Sequence, residues 1–313
     1  MLGNMKTGSK ESDHAEVWAI AGGKGGTGKS MVTAGLAVRL AGQGRQVILA
    51  DADFGGPNLH TIMGIKRPKR SISDFFSEGV SLQELLVETP LSNLKLLPGD
   101  YRTLDAGTIT ITQREKFFRH LKTLPTDLVL ADLGAGSGMH TVDTFLMADR
   151  PILVTTPEVT SLDNLYLFVK KALFRHLNQV LGSAGLKEQA KNAWRNRPKV
   201  EGPVAIPLLV ETFQNLSPIA PAIINNALKQ FRIALILNQT RDEGQKEMGF
   251  SLRSVLRQYF LVRTAYVGVV RYLPVFWQNQ TGAGCWNLFQ SGFLADDLDV
   301  CLSHLQKNDQ LKR

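Results

Sequence analysis

This chain of 313 residues has only two cysteines, Cys285 and Cys301. They form no Cys-x-x-Cys pair and no zinc-ligand spacing, which excludes a disulfide scaffold and leaves them as ordinary reduced thiols. Long apolar runs are missing as well. No stretch approaches the roughly 20 residues of a membrane-spanning helix, and residues 1–16 are polar, without the apolar core of a targeting segment. The expectation is a cytoplasmic protein whose residues 1–16 form a flexible arm. Acidic residues are scarce in one half only: residues 1–150 carry 17 Lys+Arg against 16 Asp+Glu, and residues 151–313 carry 19 against 12. The net charge of +8 is therefore C-terminal. It is compatible with DNA, anionic lipid or an acidic protein as partner and does not choose among them. Hydrophobic residues make up 43%, enough for the core of one large domain over residues 17–306, with a polar tail at 307–313.

What is present is organised around Trp18 to Met31, which reads Trp-Ala-Ile-Ala-Gly-Gly-Lys-Gly-Gly-Thr-Gly-Lys-Ser-Met. Gly23, Gly28, Lys29 and Ser30 fit the spacing G-x-x-x-x-G-K-[ST], in which a glycine-rich turn lets backbone N–H groups converge on phosphate oxygens. The expected cradle comprises Gly23, Gly25, Gly26, Thr27, Gly28, Lys29, Ser30 and Met31. Lys29 is placed to reach the β- and γ-phosphates and Ser30 Oγ to ligate Mg²⁺, while the following helix aims its positive N-terminus at the same anion. The flanks agree: Val17 to Ala21 suits a buried parallel strand, and Met31 to Gln43 has a helical pattern closed by Gly42 and Gly44.

Further apolar strands end in polar residues. Gln46 to Ala50 runs into Asp51-Ala52-Asp53, and Leu128 to Ala131 into Asp132-Leu133-Gly134-Ala135-Gly136. Arg150 to Thr156 precedes Pro157-Glu158, and Arg232 to Leu237 precedes Asn238. Carboxylates at the C-terminal ends of parallel strands belong on the ligand-binding edge of an open sheet. Asp132 is expected to hold Mg²⁺ through a water. Taken alone, these strand-end residues could equally cap turns or begin helices. The alternation of strands and helices gives an α/β class: a doubly wound, mainly parallel twisted sheet with helices on both faces.

The variant loop Lys24-Gly-Gly-Thr-Gly-Lys29-Ser30, followed in order by the Asp51-x-Asp53, Asp132 and Thr155-Thr-Pro-Glu158 segments, resembles the MinD/ParA family of P-loop ATPases. The resemblance implies ATP and Mg²⁺ as ligands and an ATP-dependent homodimer. It implies that Lys24 reaches across the two-fold interface to the partner's ATP, with Glu158 of the other copy as its contact. By the same resemblance Asp53 positions the attacking water, Asp51 supports the Mg²⁺ shell, and Asn238 reads adenine through its amide. This makes Lys24, Lys29 and Asp53 the catalytic set, and Ser30, Asp51 and Asp132 the metal set. The chain departs from the family at Gly134, where the family has proline, and at Arg271-Tyr272-Leu273-Pro274, where it has Ile-Pro.

Residues 65–100, with Ser71 and Ser81 as helix N-caps and an Asn93-Leu-Lys-Leu-Leu-Pro-Gly99 strand, resemble the FlhG/FleN group of flagellar-number regulators. That implies an ATP switch acting through a regulatory protein partner. Two alternatives stay open: a ParA-like partition ATPase that binds DNA without sequence preference, and a metal-cluster carrier of the same superfamily, which would need cysteines near its motifs. The basic C-terminal half suits nucleic acid, and Lys187, Lys191 and Arg195 would form one stripe on a helix beside Trp194, a stripe that could also be a solvated face. Residues 183–229 look like an insertion, partly irregular because of the prolines between Pro198 and Pro221. Phe276, Trp277, Trp286 and Phe289 are expected to pack C-terminal helices on the sheet. Leu294, Leu298, Cys301, Leu302 and Leu305 give the final helix an apolar face. Its other face, with Asp296, Asp297 and Asp299, is too acidic for a membrane-targeting helix.

Overall fold

A computed structural model describes residues 14–66, 68–100, 109–196, 200, 204–274 and 284–310, the last three as backbone only. In chain order it forms β1 (Glu16–Ala21), α1 (Lys29–Gly42), β2 (Val47–Ala52), α2 (Leu59–Ile62), α3 (Ile72–Ser77), β3 (Val87–Glu88), β4 (Leu94–Leu97), α4 (Ile111–Lys122), β5 (Leu128–Leu133), α5 (Met139–Leu146), β6 (Arg150–Thr155), α6 (Val159–Ser183), α7 (Lys187–Asn196), α8 (Ala205–Gln214), α9 (Ala220–Gln230), β7 (Arg232–Thr240), α10 (Glu243–Tyr259), β8 (Arg263–Arg271) and α11 (Phe293–Gln310).

The strands make one sheet in the order β3-β4-β2-β5-β1-β6-β7-β8. Every pairing is parallel except the short edge pair β3–β4. β1 lies inside the sheet between β5 and β6, so the loop that follows it opens in the middle of the C-terminal edge, where open α/β sheets bind ligands.

Side chains alternate across the central strands, and both faces are buried. Val17, Ala19 and Ala21 join a core with α4, α5 and α6, while Trp18 and Ile20 join the opposite core with α1 and α11. This two-sided burial is why the strands read as continuous apolar runs rather than alternating ones. The fold is the expected doubly wound sheet, and β1 begins at Glu16, where Ala15 N already donates to Lys122 O at 2.9 Å.

Local signals hold in several places. Ser71 and Asp74 form a capping box at α3, and Ser81 Oγ accepts from Glu84 N at the turn Leu82–Leu85. Leu294, Leu298, Cys301, Leu302 and Leu305 are all buried on α11. Trp286 and Phe289 pack on the α1 face, while Phe276 and Trp277 lie outside the described residues. Within residues 183–229 the described part forms α7, α8 and α9, with non-helical residues 215–219 between the last two. Pro207 and Pro221 fall in the first turns of α8 and α9, where the missing N–H would have had no helical partner. Trp194 packs on Phe174, with ring centroids 3.9 Å apart, so it anchors α7 to α6. Lys187, Lys191 and Arg195 are exposed, and Lys191 pairs with Glu188 at 3.7 Å.

Candidate nucleotide site at the sheet edge

The loop between β1 and α1 is shaped by glycines for two different reasons. Gly26 and Gly28 have φ of 81° and 78°, a left-handed conformation that glycine adopts without a Cβ penalty. Gly23 and Gly28 are also crowded: a Cβ on Gly23 would overlap the Asn164 carbonyl, and one on Gly28 the Asn238 amide. Gly22, which the motif spacing does not flag, would place a Cβ 2.8 Å from Thr27 Oγ1 and 3.0 Å from Val154 O. Gly25 and Gly26 are exposed, leaving the middle of the loop open to a ligand. Gly28 is the N-cap of α1, whose first turn carries no acidic residue to compete for an anion. Met31 is half-buried and packs against the α1–α11 core.

Lys29 is buried, with Nζ 3.7 Å from Asp132 Oδ1. The same Oδ1 accepts from Thr33 Oγ1 at 3.2 Å, and the Ser30 side chain lies near this carboxylate. Thr33 Oγ1 also donates to Lys29 O at 2.8 Å. Asp132 Oδ2 is buried and has no hydrogen-bond partner. Asp51 faces Asp132 in register on the neighbouring strand. Its carboxylate accepts from Leu59 N at 2.9 Å and Asp53 N at 3.4 Å. Burial, with the Asp132 charge second, pushes the Asp51 carboxyl up to about 8. Burial also raises Asp132, against the opposing pull of Lys29.

Two buried carboxylates side by side, one with an orphaned oxygen, fit a divalent cation that neutralises them. No group of three or more His, Cys, Asp or Glu able to hold a metal occurs among the described residues. The arrangement suits Mg²⁺, which is held by one or two carboxylates together with substrate phosphates rather than by an all-protein cage. Ser30, Asp51 and Asp132 are the side chains available to it.

Asp53 Oδ1 accepts from Gly55 N at 3.0 Å and Gly56 N at 3.1 Å, which holds the carboxylate against Gly134. Gly136 N donates to Gly22 O at 3.1 Å, tying the loop after β5 to the phosphate loop. Lys24 Nζ donates to Thr160 Oγ1 at 2.8 Å and lies 3.4 Å from Glu158 Oε2 at the start of α6. Within one chain, then, Lys24 meets its own Glu158.

Asn238 is fully buried and donates through Nδ2 to Thr27 O at 2.8 Å, while its Oδ1 has no partner. Next to it Gln239, with φ of 59°, donates through Nε2 to Gly26 O at 3.0 Å. The strand end of β7 therefore clasps the phosphate loop through two amides. Sequence reading missed Thr33, Thr160 and Gln239. Thr33 was findable, because it stands at i+4 from Lys29 on the same face of α1.

A family model of ParA, described as "NUBPL iron-transfer P-loop NTPase", matches residues 13–180, more than half of the chain. The antiactivator FleN of Pseudomonas aeruginosa is 31% identical over 157 residues, 50% of this chain and 55% of that protein. The septum site-determining protein MinD of Escherichia coli is 31% identical over 151 residues, 47% of this chain and 55% of that protein. The chain spans about half the length of the curated relatives it matches. A solved structure of MinD from Pyrococcus horikoshii, complexed with Mg-ADP, superposes with a TM-score of 0.62 at 20% identity, over 96% of this chain and 99% of that one. By its phosphate loop, its strand order and this family match, the chain belongs to the ParA family of P-loop NTPases.

Proposed function

We propose that the chain is an ATPase switch of the MinD/ParA type, in which two copies close face to face around ATP and open when it is hydrolysed to ADP and phosphate. One observation carries the reading: Lys29, Ser30, Thr33 and Asp132 converge behind a glycine cradle, with Asp51 and Asp53 on the adjacent strand end. Lys29 binds the phosphates, and the loop N–H groups orient them. Ser30, Asp51 and Asp132 would hold Mg²⁺, which would supply neutralisation of phosphate charge. Asp53 orients the attacking water through Oδ2, since its Oδ1 is taken by Gly55 and Gly56. Lys24, on an exposed part of the loop, supplies a cation to the partner's site. Asn238 braces the loop and offers its free Oδ1 to the base amino group. The test is phosphate release with Mg-ATP. Loss of ATP binding in Lys29→Ala, with binding retained but turnover lost in Asp53→Ala, is expected. Turnover unchanged in both variants overturns the site.

The cellular role we propose is FlhG/FleN-like control of flagellar number or placement, exerted in the cytoplasm through a regulatory protein partner. Support comes from the FleN match and from the capped segment at residues 65–100. No helix among the described residues is long and apolar enough to cross a membrane. The C-terminal basic excess favours a second reading, ParA-like binding of DNA without sequence preference. Duplex binding by the ATP-loaded Asp53→Ala protein across a salt titration separates the two. ATP-dependent binding that falls steeply with salt selects the DNA reading, and no binding at low salt selects the protein-directed one. A metal-cluster carrier draws no support from the thiols, because Cys285 and Cys301 are both buried, the latter in the packing around α11.

A further inference from the structure

A cavity of about 730 Å³ lies at the N-terminal ends of β6, β7 and β8, the edge of the sheet opposite the phosphate loop. β7 is nine residues long, so the two edges stand on the order of 25–30 Å apart. The cavity has the size of a small-molecule pocket, and its wall is rich in arginine. Arg232 and Arg263 begin β7 and β8 and are register partners, which puts their backbones about 5 Å apart. Arg253 and Arg257 follow on one face of α10, about 6 Å from each other. All four are exposed.

Among the described residues none of the four has a carboxylate partner, and Arg253 alone of them lies over a described aromatic ring, that of Phe250, 5.4 Å from its centroid. The remaining charged groups of the wall are engaged elsewhere. Arg150 is buried, pairs with Glu16 at 3.2 Å and lies over the Trp18 ring. Asp149, the one acidic residue of the wall, is held by Lys122 at 2.6 Å and by Val17 N at 2.9 Å. His176 stacks on Phe231 with ring centroids 5.1 Å apart, and its burial favours the neutral ring. Like charges directly opposite on neighbouring strands destabilise a sheet. Four guanidiniums around one concavity, none with a carboxylate partner among the described residues, are therefore a cost to the empty protein that an anion would relieve.

We propose that this cavity is a second anion site, built for a compact ligand carrying two or three closely linked phosphates. Guanidinium forks match phosphate oxygens two at a time, which explains arginine rather than lysine at these positions. The four lie within a patch one or two residues wide on each element, around a hollow. That matches a di- or triphosphate group, whereas a duplex backbone asks for cations spread along a convex or extended track.

The experiment is titration of the full chain with inorganic tripolyphosphate by calorimetry, in wild type, Lys29→Ala, Arg232→Gln and Arg263→Gln. Expected is a binding event that persists in Lys29→Ala, where the phosphate loop is disabled, and weakens roughly tenfold or more in each arginine variant. Thermal unfolding guards against misfolding: without anion, Arg232→Gln and Arg263→Gln should melt at or above the wild-type temperature, and tripolyphosphate should raise the melting temperature of Lys29→Ala but not of a double variant that also lacks Arg232. Binding abolished by Lys29→Ala and untouched by the arginine changes overturns the proposal. So does a duplex oligonucleotide or an anionic vesicle that binds through Arg232 and Arg263 while tripolyphosphate does not, because the patch would then be a nucleic-acid or membrane contact.

Discussion

Gly134 stands against Asp53: a Cβ at residue 134 would lie 3.0 Å from Asp53 Oδ1 and 3.5 Å from its Cγ. The bare Cα leaves the Asp53 carboxylate room to take the Gly55 and Gly56 N–H groups. Gly134→Ala should push that carboxylate aside without touching Lys29 or Ser30. The expected result is a kcat for ATP hydrolysis lowered roughly tenfold or more, with nucleotide affinity within about twofold of wild type. A variant with unchanged kcat would mean that Asp53 has no role in turnover or tolerates the shift.

Lys24 is held in its own chain by Thr160 and Glu158, and to serve a second copy it must leave them. An exposed pair of this kind is weak, so Glu158→Gln should tighten ATP-dependent dimerisation only slightly, by under about fivefold. Lys24→Ala should abolish it. Sedimentation with a non-hydrolysable ATP analogue reads both. Dimerisation intact in Lys24→Ala would leave Lys24 as a residue of its own subunit, pinned to α6.

Asn238 and Gln239 brace the phosphate loop before any nucleotide arrives, since their amides donate to Thr27 O and Gly26 O. Asn238→Ala should therefore lower the stability of the nucleotide-free protein by about 1–3 kcal/mol, because Thr27 O is left without its donor. Asn238→Asp should be worse, as it sets a carboxylate oxygen against that carbonyl. Thermal unfolding without nucleotide checks this, and a wild-type melting temperature for both variants would confine Asn238 to base recognition.

Most of the sheet was legible because its strands are buried on both faces and end in residues that cannot be core. Val17–Ala21 followed by a glycine-rich loop, and Leu128–Ala131 followed by Asp132, locate the ligand edge from one-dimensional spacing alone. The partners of these residues were not legible. That Asp51 faces Asp132 is a matter of strand order, and that Gln239 reaches Gly26 depends on a left-handed residue at a strand end. Pro207 and Pro221 did not reveal the starts of α8 and α9 for a local reason: a proline in a first helical turn looks the same in sequence as one in a loop.

Cys301 supplies a test that is independent of the nucleotide. It is fully buried on α11 against Gly268 of β8, where a Cβ would lie 2.8 Å from its Sγ. Burial, with the nearby Asp297 charge second, pushes the thiol from its ordinary value of 9.0 up to about 12. Folding thus favours the protonated thiol. Its contribution to stability is intact below pH 9 and is lost as the pH rises towards 12. At pH 8 the native protein should react at Cys301 with a thiol-specific disulfide reagent roughly a hundredfold or more slowly than the unfolded chain. Denaturant titrations between pH 8 and 10.5 should lose stability more steeply in wild type than in Cys301→Ala, because only the wild type carries a thiol that must remain protonated to stay in place. Equal slopes for the two proteins, or rapid native labelling at Cys301, would mean that α11 opens from the sheet more readily than its packing implies.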